Sequence, residues 1–271
     1  KAVEWLREKG LAAAQKKAGR IAAEGMAYAA VVHGVGVIVE VNAESDFVAK
    51  NDLFVEYVMG VATVVADQNP ADLDTLFACK YPGTDHTVLE EQNDKVLVIG
   101  ENIKVRRFAR YADGTSVPYV HMGGRIAVLM NLTASCGDNA EVVELGKDLA
   151  MQVAALNPTF LDKSQVSEEF VENEKKVRLI QAKEDPKNAG KPDAIIEKIV
   201  VGGLSKYYKE ICLLQQSFVK DDSVSVEQHV ADVAKKLGAQ IKVNAYVRFE
   251  KGEGIEKRCD DLADEVNKLI K

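Results

Sequence analysis

Two stretches of the chain share one order of apolar and polar positions. The apolar run VIVEVN at 37–42 aligns with IAVLMN at 126–131 at an offset of 89 residues. Both runs are short and rich in β-branched residues, so they predict strands. Each is followed by apolar positions at helical spacing that stop at an Asn-Pro pair, first at Asn69 and then at Asn157. This order predicts two related units, each with a strand followed by a helix.

A third pair of segments extends the repeat. GENIKVRRFARY at 100–111 matches GAQIKVNAYVRF at 238–249 in its glycine, its Ile-Lys-Val and its final Arg-aromatic pair, now at an offset of 138 residues. The difference between the offsets predicts an insertion of about 50 residues in the second unit. Strands only a few residues apart, as at 104–105 and 107–111, favour antiparallel pairing. We therefore expect an α+β fold with two related antiparallel-sheet and helix subdomains.

The insertion has its own apolar pattern. Between 164 and 185 a thin apolar stripe runs through many charged residues at helical spacing. The segment DPKNAGKPD then interrupts the helix, with Pro192 in the first turn of the next one, and apolar positions continue at helical spacing to Ile211. The pattern predicts an antiparallel helical hairpin, of the coiled-coil type. Because such a hairpin buries little by itself, we expect it to pack on its own twin, as a homodimer, or on a partner.

Composition limits the classes of function. The 271 residues are 47% hydrophobic and carry a net charge of −7, which is the wrong sign for a protein that binds nucleic acid or an anionic membrane. The four cysteines are far apart and form no CxxC, which favours a reducing compartment. No apolar run approaches the roughly 18 residues of a membrane span. We expect a cytoplasmic protein, with an organellar matrix as the alternative for a processed chain.

Catalytic and metal-binding motifs do not emerge from the sequence. The four histidines are scattered, and none lies in a metal-ligand spacing. HMGGR at 121–125 is similar to an esterase oxyanion loop, but no GxSxG nucleophile elbow accompanies it. Glu44 and Asp46 fit an acid/base pair, although two acids in a turn are more often capping or solvated groups. We therefore expect no enzyme, no catalytic residue, no cofactor and no metal.

The segment VEVNAESDFVAKND at 39–52 poses the main functional question, because it places an acid and a large aromatic residue together where a strand ends. In one interpretation, Phe47 is a hydrophobic staple for the following helix and Asp46 is its cap. In the other, both side chains are exposed so that another protein can bury them. The residues alone leave both interpretations open.

Five long motifs give the chain a family resemblance. VEVNAESDFVAKNDLF is similar to the signature V-N-C-E-T-D-F-V-A-K-N of the elongation factor Ts family, and further matches are EWLREKGLAAAQKKAGRIAAEG, GENIKVRRF, YVHMGGRIAVL and RFEKGEGIEK. Ala43, Ser45 and Met122 depart from the residues common in that family, which are Cys, Thr and Gly. The resemblance covers essentially the whole chain. It implies that a small N-terminal helical domain is truncated, with only its last helix and a basic linker present.

The resemblance also implies a function and a site. The family promotes guanine nucleotide exchange on elongation factor Tu, in its GDP-bound and nucleotide-free forms. The Asp-Phe of the signature enters the partner's nucleotide-binding domain and disturbs its magnesium site. Asp46 and Phe47 occupy these positions, with Ser45 and Val48 beside them. His121, with Met122 and Gly123, is the expected second contact, unless His121 is an ordinary turn histidine. The contrasting hypothesis is an RNA-binding or ribosome-associated translation protein without exchange activity.

The expected domain order combines the repeat with the resemblance. A tail helix with Leu262, Val266 and Leu269 at helical spacing is expected at the C-terminus. The predicted boundaries are 1–30 for the helical remnant and basic linker, 31–112 for subdomain N, 113–162 with 221–250 for subdomain C, 163–220 for the hairpin, and 251–271 for the C-terminal module.

Overall fold

The computed structural model describes residues 2–256, and it is an α+β fold, as predicted. Its helices are α1 (Ala2–Lys17), α2 (Asp52–Gln68), α3 (Leu73–Ala78), α4 (Val88–Ile99), α5 (Ala140–Leu156), α6 (Glu168–Glu184), α7 (Asp193–Ile211) and α8 (Val226–Leu237). Its strands are β1 (Glu24–Val32), β2 (Val35–Ala43), β3 (Lys104–Tyr111), β4 (Thr115–His121), β5 (Ile126–Ala134), β6 (Ser217–Phe218), β7 (Asp221–Ser225) and β8 (Ile241–Glu250). Among these helices none is long and apolar enough to cross a bilayer.

The predicted repeat of strand and helix is present. Helix α5 has 17 residues, as does α2, and each follows a strand rich in β-branched residues. Both helices end at an asparagine in the left-handed conformation, Asn69 with φ 47° and Asn157 with φ 45°. Asparagine tolerates this conformation better than most side chains, and it ends a helix there. The two Asn-Pro pairs in the sequence are therefore matching helix ends.

The chain divides into two compact units. Of the described residues, the first unit contains 2–129 and 247–256, and the second contains 130–246. The boundary falls inside β5 and β8, whereas the sequence predicts a boundary near residue 113. The difference arises because β4 packs on β1 and β2 and so belongs to the first unit.

The first unit is built on an antiparallel sheet of order β1-β2-β3. A two-residue turn joins β1 to β2, with positive φ at His33 (50°) and Gly34 (82°), as in the tight turns that suit hairpin twist. Strand β1 begins at Glu24, inside the segment that the sequence predicts as a basic linker. Its run EGMAYAAVV is rich in alanine, which has a low strand propensity, and pairing with β2 overrides that local preference.

Strand β2 is buried on both faces. Val37, Val39 and Val41 face a core that includes Phe54 and Tyr57 of α2. On the other face, Ile38 packs with Ala27, Ala29, Ala127, Leu129 and Phe249. A strand with both faces covered needs a nearly continuous apolar sequence, which explains the run that first identified the repeat.

The second unit contains helices α5 to α8. It also contains the parts of β5 and β8 that lie within 130–246, and both strands belong to a sheet of order β4-β5-β8. A small separate sheet pairs β6 with β7. Helices α6 and α7 contact each other at both ends: Phe170 stacks on Tyr207 at 6.4 Å between ring centroids, and Lys183 pairs with Asp193 at 3.1 Å. These contacts join the start of α6 to the end of α7 and the reverse, so the two helices run antiparallel. Pro192 lies one residue before α7 as its N-cap.

The predicted tail helix, with Leu262, Val266 and Leu269, lies outside the described residues. Of the predicted C-terminal module, residues 251–256 are described, and they belong to the first unit, with the contacts reported below.

Candidate functional site

The turn after β2 exposes an aromatic side chain. Phe47 is 82% exposed, and Asp46 beside it is also exposed. Fully solvated phenylalanine is uncommon because burying its side chain is worth about 1.5–3 kcal/mol. An aromatic residue that is held in water by its fold is a candidate for burial in another protein.

Hydrogen bonds from a distant loop hold this turn. The carboxylate of Glu101 accepts from the Ser45 backbone N–H at 2.9 Å and from the Ser45 hydroxyl at 2.6 Å. In return, Glu44 Oε1 accepts from the Asn102 backbone N–H at 2.6 Å and lies 3.4 Å from the Arg20 guanidinium. The hydrogen bonds of Ser45 with Glu101 and of Glu44 with Asn102 therefore fix the backbone between the end of β2 and Phe47.

Core packing fixes the other side of the turn. Val48 is buried in the core of the first unit, so it anchors the turn and offers little surface to a partner. A short 3-10 turn follows, in which the Lys50 N–H donates to the Phe47 carbonyl at 3.1 Å. The side chain of Phe47 is thus exposed to solvent, while the backbone on both sides of it is held in place.

The staple-and-cap interpretation of this segment is wrong. Helix α2 is capped by Asn51, whose side chain accepts from the Leu53 N–H at 2.9 Å. Asp46 lies too early to cap α2, and Phe47 is too exposed to be a hydrophobic staple. The acid/base pair is also unsupported, because Glu44 is committed to Asn102 and Arg20.

The second candidate segment is the turn between β4 and β5. Met122 is 67% exposed and has φ 48°, and Gly123 follows with φ 62°. His121 is half-buried, and its Nδ1 lies 2.9 Å from the Tyr119 hydroxyl with the two rings stacked. Gly124, with φ 93°, lets the turn approach β1, since a Cβ there would lie 2.5 Å from Met26 Cγ.

Both candidate segments lie beside the first residues of β1. Ala43, which leads into the first turn, pairs with Glu24, and the Gly124 carbonyl in the second turn accepts from the Ala27 N–H at 2.8 Å. Glu24 and Ala27 are separated by about 10 Å along a strand. The structure therefore brings Phe47 and Met122 to one region of the first unit, although they are 75 residues apart in the sequence.

The segment after β8 holds this region in place through contacts of Lys251 and Gly252. The Lys251 N–H donates to the Arg125 carbonyl at 2.9 Å, and the Lys251 ammonium pairs with Glu24. The next residue, Gly252, donates its N–H to the buried Glu40 carboxylate at 2.8 Å. A Cβ at Gly252 would lie 2.0 Å from the Ala23 carbonyl oxygen, so glycine is required for this approach.

Sequence reasoning missed the residues that support the site. Glu101 and Asn102 hold the Phe47 turn, and Glu40 holds the segment that contains Gly252. The motif GENIKVRRF contained a signal, because Glu101 and Asn102 lie in it directly after the left-handed cap Gly100. Their role depends on contacts over more than fifty residues, which periodicity does not reveal.

Met122→Gly is expected to stabilise the first unit by about 1 kcal/mol, because a left-handed conformation strains any residue with a Cβ. Thermal unfolding of the variant and the parent measures this effect. Met122→Val is the matched control, since a β-branched residue tolerates this conformation less well and lowers the midpoint. A lower midpoint for Met122→Gly would contradict the expected strain.

The fold and the site define a class: an α+β protein that displays an acidic and aromatic turn from a constrained backbone, as protein-binding surfaces do. The family model for elongation factor TS matches residues 44–253. The chain belongs to the elongation factor Ts family, and it is therefore a translation elongation factor.

Individual relatives agree over nearly the whole chain. The elongation factor Ts of Syntrophotalea carbinolica is 48% identical over 272 residues, covering 100% of this chain and 88% of the relative. That of Magnetococcus marinus is 46% identical over 271 residues, covering 99% and 88%. That of Clostridium perfringens strain SM101 is 45% identical over 274 residues, again covering 99% and 88%.

Proposed function

We propose that this chain is a guanine nucleotide exchange factor that promotes release of GDP from elongation factor Tu in the cytoplasm. It acts through contact with its partner and not as an enzyme. The observation that carries the proposal is the exposure of Phe47, at 82%, on a turn constrained by Glu101, Asn102 and Val48. Membership of the elongation factor Ts family supports the choice of partner.

The proposed mechanism is displacement of the partner's nucleotide-binding elements. Asp46 and Phe47 enter between helices of the GTPase domain, and Ser45 holds their backbone in place. A P-loop GTPase grips its nucleotide through a magnesium ion bridging the phosphates and through switch segments ordered around that ion. Moving those segments away from the magnesium ion lowers the partner's affinity for GDP.

Burial of Phe47 supplies part of the free energy for this displacement. Transfer of a phenylalanine side chain from water is worth about 1.5–3 kcal/mol. The hydrogen bonds from Ser45 to Glu101 and from Asn102 to Glu44 order the turn before binding, so little of that free energy is spent on ordering it in the complex. The coupling is reciprocal, because GDP must weaken binding of the factor by the same ratio as the factor weakens binding of GDP.

The turn between β4 and β5 is the proposed second contact. Met122 offers exposed apolar surface, and Gly123 allows the backbone to turn beneath it. His121 is half-buried and stacked on Tyr119, so its ring is held in one orientation. Because both segments adjoin the start of β1, one partner surface is able to cover them together.

Helices α6 and α7 carry apolar side chains that the second unit leaves exposed, namely Val177, Ile180, Ile195, Ile199 and Val201. A homodimer through this hairpin stays a prediction. Charged residues surround these positions, as expected for a surface that is covered by another helical surface and not by a membrane.

The test is stopped-flow release of a fluorescent GDP analogue from elongation factor Tu. Addition of the chain is expected to accelerate release strongly, and excess GDP is expected to dissociate the complex, as reciprocity requires. Absence of acceleration at saturating chain would contradict exchange activity. Tight RNA binding that falls steeply with salt, in place of acceleration, would support the RNA-binding alternative.

A further inference from the structure

A histidine and two carboxylates converge at the start of α4, whereas the residues that hold the Phe47 turn follow the end of that helix. His86 directly precedes the N-cap Thr87, while Glu91 and Asp94 are three residues apart and so lie on one face of the helix. One donor atom from each side chain lies within 4.8 Å of the other two. The spacing of these residues matches no metal motif, and for that reason the sequence predicts no metal site.

We propose that His86, Glu91 and Asp94 bind a divalent transition-metal ion of the Zn²⁺ class. Imidazole nitrogen with carboxylate oxygens is a donor set that suits Zn²⁺ and its neighbours, and three protein ligands leave one position for water. An imidazole donor does not suit a site of the calcium type, whose ligands are oxygens.

The distances from His86 to the two carboxylates agree with this coordination. His86 Nδ1 lies 3.3 Å from Glu91 Oε2 and 3.2 Å from Asp94 Oδ2. Around a tetrahedral zinc ion with bonds of about 2.0–2.1 Å, neighbouring ligand atoms are separated by about 3.3–3.4 Å. The two distances from His86 thus match those around a zinc ion, and all three donor atoms lie within 4.8 Å of one another.

Neighbouring groups orient each ligand. The second oxygen of Glu91 pairs with the Lys95 ammonium at 2.9 Å, which leaves Oε2 directed at His86. A Cβ at Gly10 of α1 would lie 3.1 Å from Asp94 Oδ1, so close packing of α1 restricts that carboxylate. The backbone of His86 is fixed by a hydrogen bond from the Tyr81 N–H to its carbonyl at 2.9 Å. Such supporting contacts are typical of groups that orient metal ligands.

A simple ion pair explains the arrangement less well. An imidazole N–H at Nδ1 shared between two carboxylates at 3.3 and 3.2 Å makes a bifurcated hydrogen bond, and both distances are longer than the about 2.7–2.9 Å of a good charge-assisted bond. His33 provides the comparison within the same unit, because its Nδ1 faces a single carboxylate, that of Asp67, at 2.8 Å. His33 with Asp67 is thus an ordinary pair, and it serves as the matched control.

The experiment is isothermal titration of the metal-free chain with ZnCl₂, with Co²⁺ absorption as a second readout. Both use a Cys136→Ser background, because Cys136 is free and exposed and thiolates are zinc ligands. We expect one site per chain. His86→Ala and Asp94→Asn each weaken it at least tenfold, and His33→Ala changes it less than twofold. Visible Co²⁺ bands of tetrahedral intensity, lost in His86→Ala, are expected as well.

Three outcomes would overturn the proposal. These are no binding at millimolar metal, equal affinity in the His86→Ala and parent chains, or loss of the site in His33→Ala. Far-UV circular dichroism establishes that each variant is folded. If His86→Ala does not fold, Asp94→Asn decides the matter, because it removes a ligand and keeps the shape of the side chain.

Discussion

Replacing Phe47 with alanine is expected to reduce the acceleration of GDP release from elongation factor Tu by tenfold or more. The aromatic ring is the largest exposed apolar group on the constrained turn, and it contributes little to the fold at 82% exposure. Its loss removes burial free energy in the complex of about 1.5–3 kcal/mol. A tenfold change in rate corresponds to about 1.4 kcal/mol at the barrier, which lies at the lower end of that range.

Stopped-flow fluorescence over a range of factor concentrations separates weak binding from weak exchange. The expected loss is in the maximal release rate, because Phe47 is proposed to stabilise the displaced state of the partner. Val98→Ala is the matched control, since Val98 is 67% exposed in the same unit but lies on α4. Unchanged exchange by the Phe47→Ala chain, or an equal loss in Val98→Ala, would show that the turn does not act as a wedge.

The unchanged stability of the Phe47→Ala chain is part of the same prediction. Val48, the next residue, is buried in the core, and replacing it with alanine would destabilise the turn itself. Thermal unfolding of the Phe47→Ala chain should therefore match the parent within experimental error. A large fall in the unfolding midpoint would mean that Phe47 is structural.

The sequence predicts those parts of the fold that depend on local pattern. Asn69 and Asn157 identify two equivalent helix ends, because an asparagine followed by proline both permits the left-handed conformation and prevents further helix. Helix α4 carried a readable signal as well, since Thr87 and Glu90 form a capping box, but its position was not predicted. Strand β1 was missed because alanine favours helix, and only pairing with β2 makes the segment a strand.

Only those residues of the candidate site that lie within a recognisable sequence motif could be predicted. Asp46 and Phe47 stand out as an acid and an aromatic residue in a turn, yet their exposure follows from contacts that no local pattern contains. Glu101 reaches Ser45 across 56 positions of the chain. Likewise, His86 contacts Asp94 because the loop before α4 folds back on the helix. The spacing of these residues in the sequence matches no known metal motif, so this contact was not predictable.

Glu40→Gln is expected to destabilise the first unit by about 3 kcal/mol, the lower end of the range for breaking a buried ion pair. Glu40 is fully buried, and its carboxylate accepts from Arg106 at 3.0 Å and from Arg107 at 2.5 Å. It also accepts from Asn42 at 3.1 Å and from the Gly252 N–H at 2.8 Å. A neutral amide leaves the two guanidinium groups without a buried counter-charge and turns a donor group toward other donors.

Urea unfolding followed by the fluorescence of Trp5, the single tryptophan, reports on the first unit, which contains it. Asp85→Asn is the matched control in the same unit, since the pair of Lys80 with Asp85 is exposed and its loss should leave the midpoint unchanged. Equal midpoints for Glu40→Gln and the parent would show that solvent already screens the buried cluster. Because Gly252 adjoins Lys251, which is bonded to Arg125 and Glu24, loss of the Glu40 contact also loosens the support beneath both proposed contact turns. Exchange activity should therefore fall together with stability in Glu40→Gln, whereas in Phe47→Ala it should fall alone.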